Sequence, residues 1–271
     1  MINKIKKLYI CYPSGNINAI IEDVIPKQDY SLVAERIINL YNKNKTADKQ
    51  IEQVAFISKN SLTLSGGEFS GNAAMCLGKI KLKNKEKRQF QVSGSKQLLK
   101  IFINNNGYIN GQMPLFKLSS KLKQSKEGFP IIPLQGITQI LVSNNFNKNV
   151  AYLKNMALKI IENNNLERSL AVAVVFTKNE NNFIKIKPFV YFKKGVKYEI
   201  SAETSCGSAT IATGIYSSIM NNQSINNQEV AQPSGDSLYV TVKKIKNQFE
   251  SYLSEKVKII YEGPFDLNNQ L

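Results

Sequence analysis

The alternation of apolar and polar residues predicts a chain of short strands and a few helices. Apolar runs that favour β-structure, at residues 5–12 and 17–24, are separated by the turn-forming segment PSGN. Apolar residues recur at helical spacing from the candidate N-cap Ser31 to Asn42. The segment NNNG at residues 104–107 predicts a β-hairpin. Further strands are predicted at residues 53–57, 61–65, 90–93, 137–143, 170–177, 183–192, 237–242 and 249–261.

The second half of the chain repeats the plan of the first half: strands, a helix, a short reactive turn and a second, more apolar helix. Residues 150–162, for example, have apolar side chains along one helical face. Many hairpins without a regular βαβ alternation indicate the α+β class. The repeat also predicts two pseudo-symmetric lobes, with a boundary near Pro114. We expect an N-terminal lobe at residues 1–115 and a C-terminal lobe at 116–262, with segment 263–271 a candidate for returning to the first.

Two turns, one in each half, carry the candidate chemistry. The first reads SGGEFSGNAA at residues 65–74 and the second reads AETSCGSAT at residues 202–210. Each turn has a glutamate, a small side chain with a reactive head (Ser70 or Cys206), a glycine, and then an apolar helical run. Two such groups at two helix N-termini can meet across one substrate. This arrangement suits proton removal from one face of a carbon and proton delivery to the other.

The position of Cys206 before a helical run predicts an activated thiol. Free N–H groups and the positive dipole end of a helix lower a thiol pKa from ~8.5 to ~3.5–7.5. We therefore expect a Cys206 thiolate at neutral pH, able to act as a base. The same N–H groups can hold a substrate carboxylate, and the glycine that follows permits close approach. Ser70, in contrast, is a poor base without an activating partner.

Composition excludes several other functions. The 271 residues include no histidine, which rules out Ser-His-Asp and Cys-His centres and most zinc sites. The three cysteines form no metal-ligand spacing, and Cys11 and Cys76 are expected in the core. The net charge of +16 comes mainly from dispersed lysines without interleaved aromatic residues, which favours a solvated surface over nucleic-acid binding. No membrane span and no secretory signal are evident, so we expect no membrane partner and a cytoplasmic protein.

The motifs resemble those of the diaminopimelate epimerase superfamily of cofactor-independent amino-acid racemases and epimerases, most closely the branch that contains histidine racemases of the staphylopine pathway. The resemblance covers essentially the whole chain. It implies lobes that are barrel-like β-sheets around a central helix, with the active site in the cleft between them. The residues that carry it are YPSGN at 12–16, EQV at 52–54, SGGEFSGNA at 65–73, ETSCGS at 203–208 and QPSG at 232–235.

The resemblance also implies a mechanism. Two cysteines face each other across the substrate α-carbon; one removes the proton and the other returns it to the opposite face. Neither pyridoxal phosphate nor a metal takes part, and members are commonly homodimers. In this chain Cys206 is one acid/base and Ser70 occupies the place of the other. The remaining substrate-holding positions map onto Asn16, Gln53, Gly71, Asn72, Gly207 and Ser208.

Two departures from the family pattern bear on the substrate and on activity. Diaminopimelate epimerases carry a Glu-Arg-Gly run before the second cysteine, but residues 198–203 here read YEISAE, without the arginine that grips the distal carboxylate. Glu52 and Glu203 instead favour a cationic or hydrogen-bond-donating side chain such as imidazole, so histidine is the predicted substrate. Serine at position 70 predicts a racemase that has lost roughly 10²–10⁴-fold in rate.

The origin of Ser70 is open at this point. One interpretation is a catalytic cysteine replaced by serine in an inactivated form of the enzyme. Another is a natural serine, as in relatives acting on hydroxyproline that resemble one-base dehydratases. Racemisation of a different amino acid, and a non-catalytic protein that binds a free amino acid, are further alternatives.

Overall fold

The computed structural model describes residues 2–46, 49–118, 121–194 and 197–268. The chain forms two compact units, which we call the first unit (Met1–Gln112 with Ser254–Leu271) and the second unit (Met113–Leu253). Within these ranges each unit has many strands and two α-helices, which confirms the α+β class. Of the segment 263–271, residues 269–271 lie outside the described residues.

The first unit is a curved mixed sheet around one helix. Its strands are β1 (Lys4–Pro13), β2 (Ile17–Ile21), β3 (Ile51–Ser58), β4 (Ser61–Leu64), β5 (Lys87–Val92), β6 (Leu99–Ile103), β7 (Ile109–Gln112) and β18 (Val257–Asp266). They pair in the order β18-β1-β2-β3-β4-β5-β6-β7, parallel at β2–β3 and β4–β5 and antiparallel elsewhere. Helix α2 (Gly71–Lys81) contacts β1, β2, β3, β4, β6, β7 and β18, so the sheet wraps around it. Helix α1 (Tyr30–Asn42) packs outside, against β3.

Close packing of α2 depends on a glycine. A methyl group at Gly78 would lie 2.7 Å from a methyl carbon of Ile101 and 2.8 Å from one of Ile109, so a larger residue would push the helix off the sheet. Cys11 and Cys76 are fully buried and not disulfide-bonded, as expected for core residues.

The second unit also surrounds one helix with a sheet. Strands β9 to β14 pair with their sequence neighbours, β13 also pairs with β15, and β15 with β16. A short additional pair joins β8 to β17. The strands are β8 (Phe116–Lys117), β9 (Lys123–Gln124), β10 (Pro130–Leu134), β11 (Ile137–Val142), β12 (Ala171–Asn179), β13 (Phe183–Lys194), β14 (Lys197–Ala202), β15 (Ile225–Ala231), β16 (Ser237–Ile245) and β17 (Gln248–Glu255).

The central helix of the second unit is α4 (Gly207–Met220), which contacts β10, β11, β13, β15 and β16. Helix α3 (Val150–Asn163) packs on the outside, against β12, β13 and β14. A methyl group at Gly214 would lie 2.7 Å from both γ-carbons of Val240. Gly214 follows Cys206 by eight residues, as Gly78 follows Ser70. The shared placement supports an internal duplication.

The structure departs from the predicted elements in a few places. The strand predicted at residues 249–261 is two strands, β17 and β18, interrupted at Lys256. Strands β10 and β15 were not predicted, because PIIPL contains two prolines and INNQEVA is mostly polar. Within the described ranges, no helix combines the length and apolar character needed to cross a bilayer.

Candidate active site

Cys206 occupies the N-cap of α4. Its backbone is extended, with φ −141° and ψ 103°, and the helix begins at the next residue, Gly207. The Cys206 carbonyl accepts hydrogen bonds from the backbone N–H of Thr210 at 3.0 Å and from its hydroxyl at 2.9 Å. The reactive side chain therefore lies at the point where the chain passes from strand β14 into the buried helix.

Gln232 fixes the backbone of this turn. Its Oε1 accepts from the Cys206 N–H at 3.0 Å, while its Nε2 donates to the Thr210 hydroxyl at 3.1 Å and to the Val230 carbonyl at 2.9 Å. Gln232 itself is buried. The segment QPSG was noted as a family motif, but its spacing to Cys206 gave no signal that Gln232 contacts the reactive turn.

The Cys206 sulfur contacts one polar side chain, which in turn contacts a second. The Ser208 Oγ lies 3.3 Å from Sγ, and the Gln139 Nε2 donates to that Oγ at 3.0 Å. The cysteine is only 9% exposed. Sequence reasoning missed Gln139, which lies on β11 far from the motif.

The expectation of a Cys206 thiolate at neutral pH is wrong for this structure. Burial of the thiol, followed by the negative charge of Glu203, raises the pKa of Cys206 to about 11. Hydrogen bonds from the Ser208 hydroxyl and from the N–H groups of Ser208 and Ala209 act in the opposite direction but do not prevail. Desolvation outweighs the helix terminus, so Cys206 is a protonated thiol at neutral pH and is suited to donate a proton.

The two candidate glutamates have different surroundings. Glu203 is partly buried; burial raises the pKa of its carboxyl, and a hydrogen bond with Ser201 opposes that shift. Glu52 is exposed and occupies a β-bulge between β2 and β3, where Ile51 pairs with Ile17 and Gln53 pairs with Asn18. The negative charge of Glu203 raises the pKa of the Cys206 thiol.

Ser70 holds the matching N-cap of α2, with φ −133° and ψ 122°. Its Oγ accepts a hydrogen bond from the Ala73 N–H at 3.2 Å, the usual role of a capping serine. The side chain is 9% exposed, like that of Cys206. The two reactive positions thus share backbone conformation, burial and place in the helix.

The first turn is held by residues from the end of β5. Gly94 has φ +72°, and a methyl group there would lie 2.4 Å from the Phe69 nitrogen. The Ser93 hydroxyl donates to the Glu68 carbonyl at 2.7 Å and accepts from the Leu64 N–H at 3.0 Å. Neither Ser93 nor Gly94 could be identified from the sequence as part of this turn, because both lie far from the motif along the chain.

Among the proposed substrate-holding positions of the first unit, Asn72 is buried, whereas Asn16, Gln53 and Gly71 are partly buried. Gly71 and Asn72 form the first turn of α2, and the buried Asn72 Oδ1 has no hydrogen-bond partner within the described part of the chain. Asn16 is partly buried, and its carbonyl accepts from the Asn18 side chain at 3.0 Å. Gln53 is the partner of Asn18 in the neighbouring strand.

The corresponding positions of the second unit, Gly207 and Ser208, form the first turn of α4. The polar groups around the two turns are backbone N–H, hydroxyl, thiol and carboxamide groups, together with the Glu203 carboxylate. Among the residues that the structure describes, His, Cys, Asp and Glu do not gather in groups of three that could hold a metal ion.

Comparison with known families identifies the chain. A family model described as the histidine racemase CntK N-terminal domain matches residues 6–265. The chain belongs to this family. It is 28% identical to the histidine racemase of Fusobacterium nucleatum, with 93% of this chain and 92% of that protein covered. It is 22% identical to the histidine racemase of Staphylococcus aureus, with 86% of each chain covered.

Solved structures of racemases and related proteins share the fold. A hydroxyproline epimerase from Agrobacterium vitis has a TM-score of 0.64 at 10% identity, covering 99% of this chain and 93% of that one. A PhzF-family protein from Bacillus anthracis has a TM-score of 0.61 at 13% identity, covering 97% and 99%. These similarities confirm the diaminopimelate epimerase-like fold, and family membership makes this chain an isomerase of the amino-acid racemase and epimerase class.

Proposed function

We propose that this family member is a cofactor-independent histidine racemase in which positions 70 and 206 act on opposite faces of one α-carbon. The observation that carries the proposal is the equivalence of the two N-caps. Ser70 and Cys206 have nearly the same φ and ψ, the same exposure, and a buried helix directly behind them. The mechanism needs neither pyridoxal phosphate nor a metal.

The helix N-termini hold the α-carboxylate in this proposal. The first turns of α2 and α4 present backbone N–H groups that lack intrahelical partners and carry a partial positive charge. Gly71 and Gly207 leave these groups accessible to a ligand. The Asn72 Oδ1, buried without a hydrogen-bond partner in the described residues, is a ready acceptor for the substrate ammonium.

Cys206 and position 70 have complementary protonation roles. Cys206, with its raised pKa, holds a proton at neutral pH and delivers it to the carbanion. The opposite face then needs a base. A serine hydroxyl is a poor base without an activating partner, and the chain contains no histidine to supply one. With Ser70 the chain is therefore a racemase of greatly reduced rate, and a cysteine at position 70 should restore the missing base.

Histidine specificity is supported by Glu203 and by the named relatives. Glu203 is a partly buried carboxylate whose charge is felt at Cys206, so it lies near the reacting centre. A carboxylate there complements the N–H of an imidazole and repels the distal carboxylate of diaminopimelate. The relatives from Fusobacterium nucleatum and Staphylococcus aureus are histidine racemases.

Chiral chromatography of histidine incubated with the enzyme tests the proposal. We expect Ser70→Cys to convert L-histidine to D-histidine roughly 10²–10⁴-fold faster than the unaltered chain. Ser70→Ala is the matched control, because it removes the hydroxyl without adding a base and should stay as slow. The double variant Ser70→Cys/Cys206→Ser should racemise histidine as slowly as the unaltered chain, since it again has a single thiol at the two positions, now at position 70.

A panel of other amino acids separates the alternatives. If Ser70→Cys racemises another amino acid but not histidine, the substrate assignment is wrong and the mechanism stands. If the unaltered chain removes water from hydroxyproline, it is a one-base dehydratase. If Ser70→Cys is no faster than Ser70→Ala on any amino acid, the two-base proposal fails.

A further inference from the structure

A buried carboxamide lies behind the reactive thiol of the second unit. Gln139 is 0% exposed, in the otherwise apolar middle of β11. Its Nε2 donates to the Ser208 Oγ, but its Oε1 has no hydrogen-bond partner in the described ranges. A half-satisfied buried amide is costly to the fold. Stability therefore does not explain glutamine at this position, and its contact with Ser208 points to the active site.

The geometry makes Ser208 a connection between Gln139 and the sulfur. A hydroxyl has one hydrogen to donate and lone pairs to accept with. The Ser208 Oγ accepts from Gln139 at 3.0 Å and lies 3.3 Å from the Cys206 Sγ. With a lone pair used by Gln139, the Ser208 hydrogen is free to point to the sulfur, where it stabilises a thiolate.

We propose that Gln139 is a positioning residue for Cys206, acting through the Ser208 hydroxyl to stabilise the sulfur after it has lost its proton. The effect on turnover rests on the proposed function above; the effect on the thiol does not. A carboxamide can also serve the protonated state of the thiol. When Cys206 is protonated and donates to the Ser208 Oγ, a carboxamide turned by half a rotation accepts the Ser208 hydrogen.

This dual capacity distinguishes glutamine from its close analogues. Methionine, of similar length, neither donates nor accepts strongly. Ionised glutamate can only accept, so it would draw the Ser208 hydrogen away from the sulfur and add a second negative charge to that of Glu203, which already disfavours the thiolate. A protonated glutamic acid keeps a hydrogen to donate, and burial at this position favours that form. Gln139→Met should therefore lower the thiolate fraction of Cys206 at every pH, and Gln139→Glu should lower it once the new carboxyl ionises.

Alkylation by iodoacetamide measures that fraction directly, because the thiolate is the reacting species. The rate at Cys206 is followed at pH 8 and pH 9 by peptide mass spectrometry of the folded protein. We expect Ser208→Ala to slow alkylation about tenfold, and Gln139→Met at least threefold, as loss of one hydrogen bond to sulfur implies. The decisive variant is Gln139→Met/Ser208→Ala, which should react at the same rate as Ser208→Ala alone.

Two results would overturn the proposal. One is a Gln139→Met protein alkylated at the unaltered rate. The other is that Gln139→Met slows alkylation by the same factor whether or not the Ser208 hydroxyl is present. That result would mean that Gln139 does not act through the hydroxyl. Because alkylation needs no substrate, both results can be obtained even if no variant racemises histidine.

Cys11 and Cys76 serve as internal controls for folding. Both are fully buried in the first unit, so their alkylation reports unfolding of that unit. If Gln139→Met unfolds the protein, Gln139→Leu, a second apolar replacement that neither donates nor accepts, decides instead: slower alkylation of Cys206 supports the proposal and an unchanged rate contradicts it. A thermal melt of each variant accompanies the measurement.

Discussion

Cys206 shows that burial can outweigh a helix terminus at a single residue. Its sulfur lies beside the N–H groups of Ser208 and Ala209, yet desolvation and Glu203 raise its pKa to about 11. The proposed two-base mechanism requires such a thiol, because one of the two groups must begin each cycle protonated. The thiol at Cys206 meets that requirement at neutral pH.

The contribution of Glu203 can be measured. Glu203→Gln removes a negative charge that raises the pKa of Cys206, so the thiolate fraction should increase. We expect iodoacetamide to alkylate Cys206 about threefold faster at pH 8 in this variant. Glu199→Gln, which alters an exposed carboxylate nearby in sequence, is the control and should change little. An unchanged rate in Glu203→Gln would remove Glu203 from the electrostatics of the site.

At position 70, catalysis and stability are expected to oppose each other. The Ser70 hydroxyl caps α2 by accepting from the Ala73 N–H, and a thiol is a weaker acceptor. Ser70→Cys should therefore be less stable by about 0.5–1 kcal/mol even as it gains activity. Urea unfolding at neutral pH measures the loss, and Ser70→Ala should lose at least as much. A more stable Ser70→Cys protein would argue against the capping role.

The candidate reactive residues could be proposed from the sequence because each lies inside a short repeated motif. Ser70 and Cys206 are recognisable by the glycine and the apolar run that follow. Gln139 and Gln232 reach the same turn from distant strands, through pairing that no local pattern records. The pKa of Cys206 was mispredicted for a related reason, since burial depends on the whole unit.

Each of the two central helices, α2 and α4, packs closely against its sheet because it carries a glycine at the contact. A Cβ at Gly214 would lie 2.7 Å from both γ-carbons of Val240, and one at Gly78 would lie 2.7 Å from Ile101. Gly214→Ala and Gly78→Ala should each destabilise the protein by about 1–3 kcal/mol through overpacking. Chemical denaturation checks the size of the effect.

A second substitution separates overpacking from other causes. Val240→Ala removes the methyl groups that a new Cβ at Gly214 would meet. The double variant Gly214→Ala/Val240→Ala should therefore be more stable than the sum of the two single losses predicts. Strict additivity would mean that the close contact is not the source of the loss.

At the element scale, the sequence was most informative where periodicity is strong. Helix α3 was predicted within one residue, and the NNNG hairpin lies between β6 and β7 as expected. Strands β10 and β15 were missed because prolines and polar residues hide them, and they form by pairing with neighbours. Pairing partners, not local propensity, decide such strands.

For the whole molecule, a partly exposed ion cluster in the first unit couples stability to pH. Glu22 accepts a hydrogen bond from the Tyr9 hydroxyl at 3.0 Å, lies 3.0 Å from the Lys7 Nζ, and pairs with Lys81 at the end of α2. Burial alone would raise the pKa of Glu22, but the hydrogen bonds from Lys81, Lys7 and Tyr9 lower it to about 2. The cluster therefore joins β1 to the central helix of the first unit.

Acid should remove this stabilisation. Because the folded-state pKa of Glu22 is depressed, its contribution is present above pH 4.5 and is lost as the pH falls toward 2. At pH 6 we expect Glu22→Gln to be about 1 kcal/mol less stable than the unaltered chain, with the difference shrinking toward pH 2.5. Urea unfolding at both pH values tests this, with Glu35→Gln, an exposed carboxylate on α1, as control. A difference independent of pH would contradict the role of the charge.

The central claim, that positions 70 and 206 act on opposite faces of one α-carbon, is tested most directly by exchange of the histidine α-proton in D₂O. A single thiol can remove the α-proton of only one enantiomer, and only in the fraction of molecules in which it is a thiolate. Because the pKa of Cys206 is raised, the unaltered chain should exchange one enantiomer of histidine slowly, faster with rising pH and without inverting it. Ser70→Cys/Cys206→Ser should exchange the other enantiomer. Ser70→Ala/Cys206→Ser should exchange neither. If the two one-thiol proteins exchange the same enantiomer, the two positions do not face opposite sides of the substrate and the account is wrong.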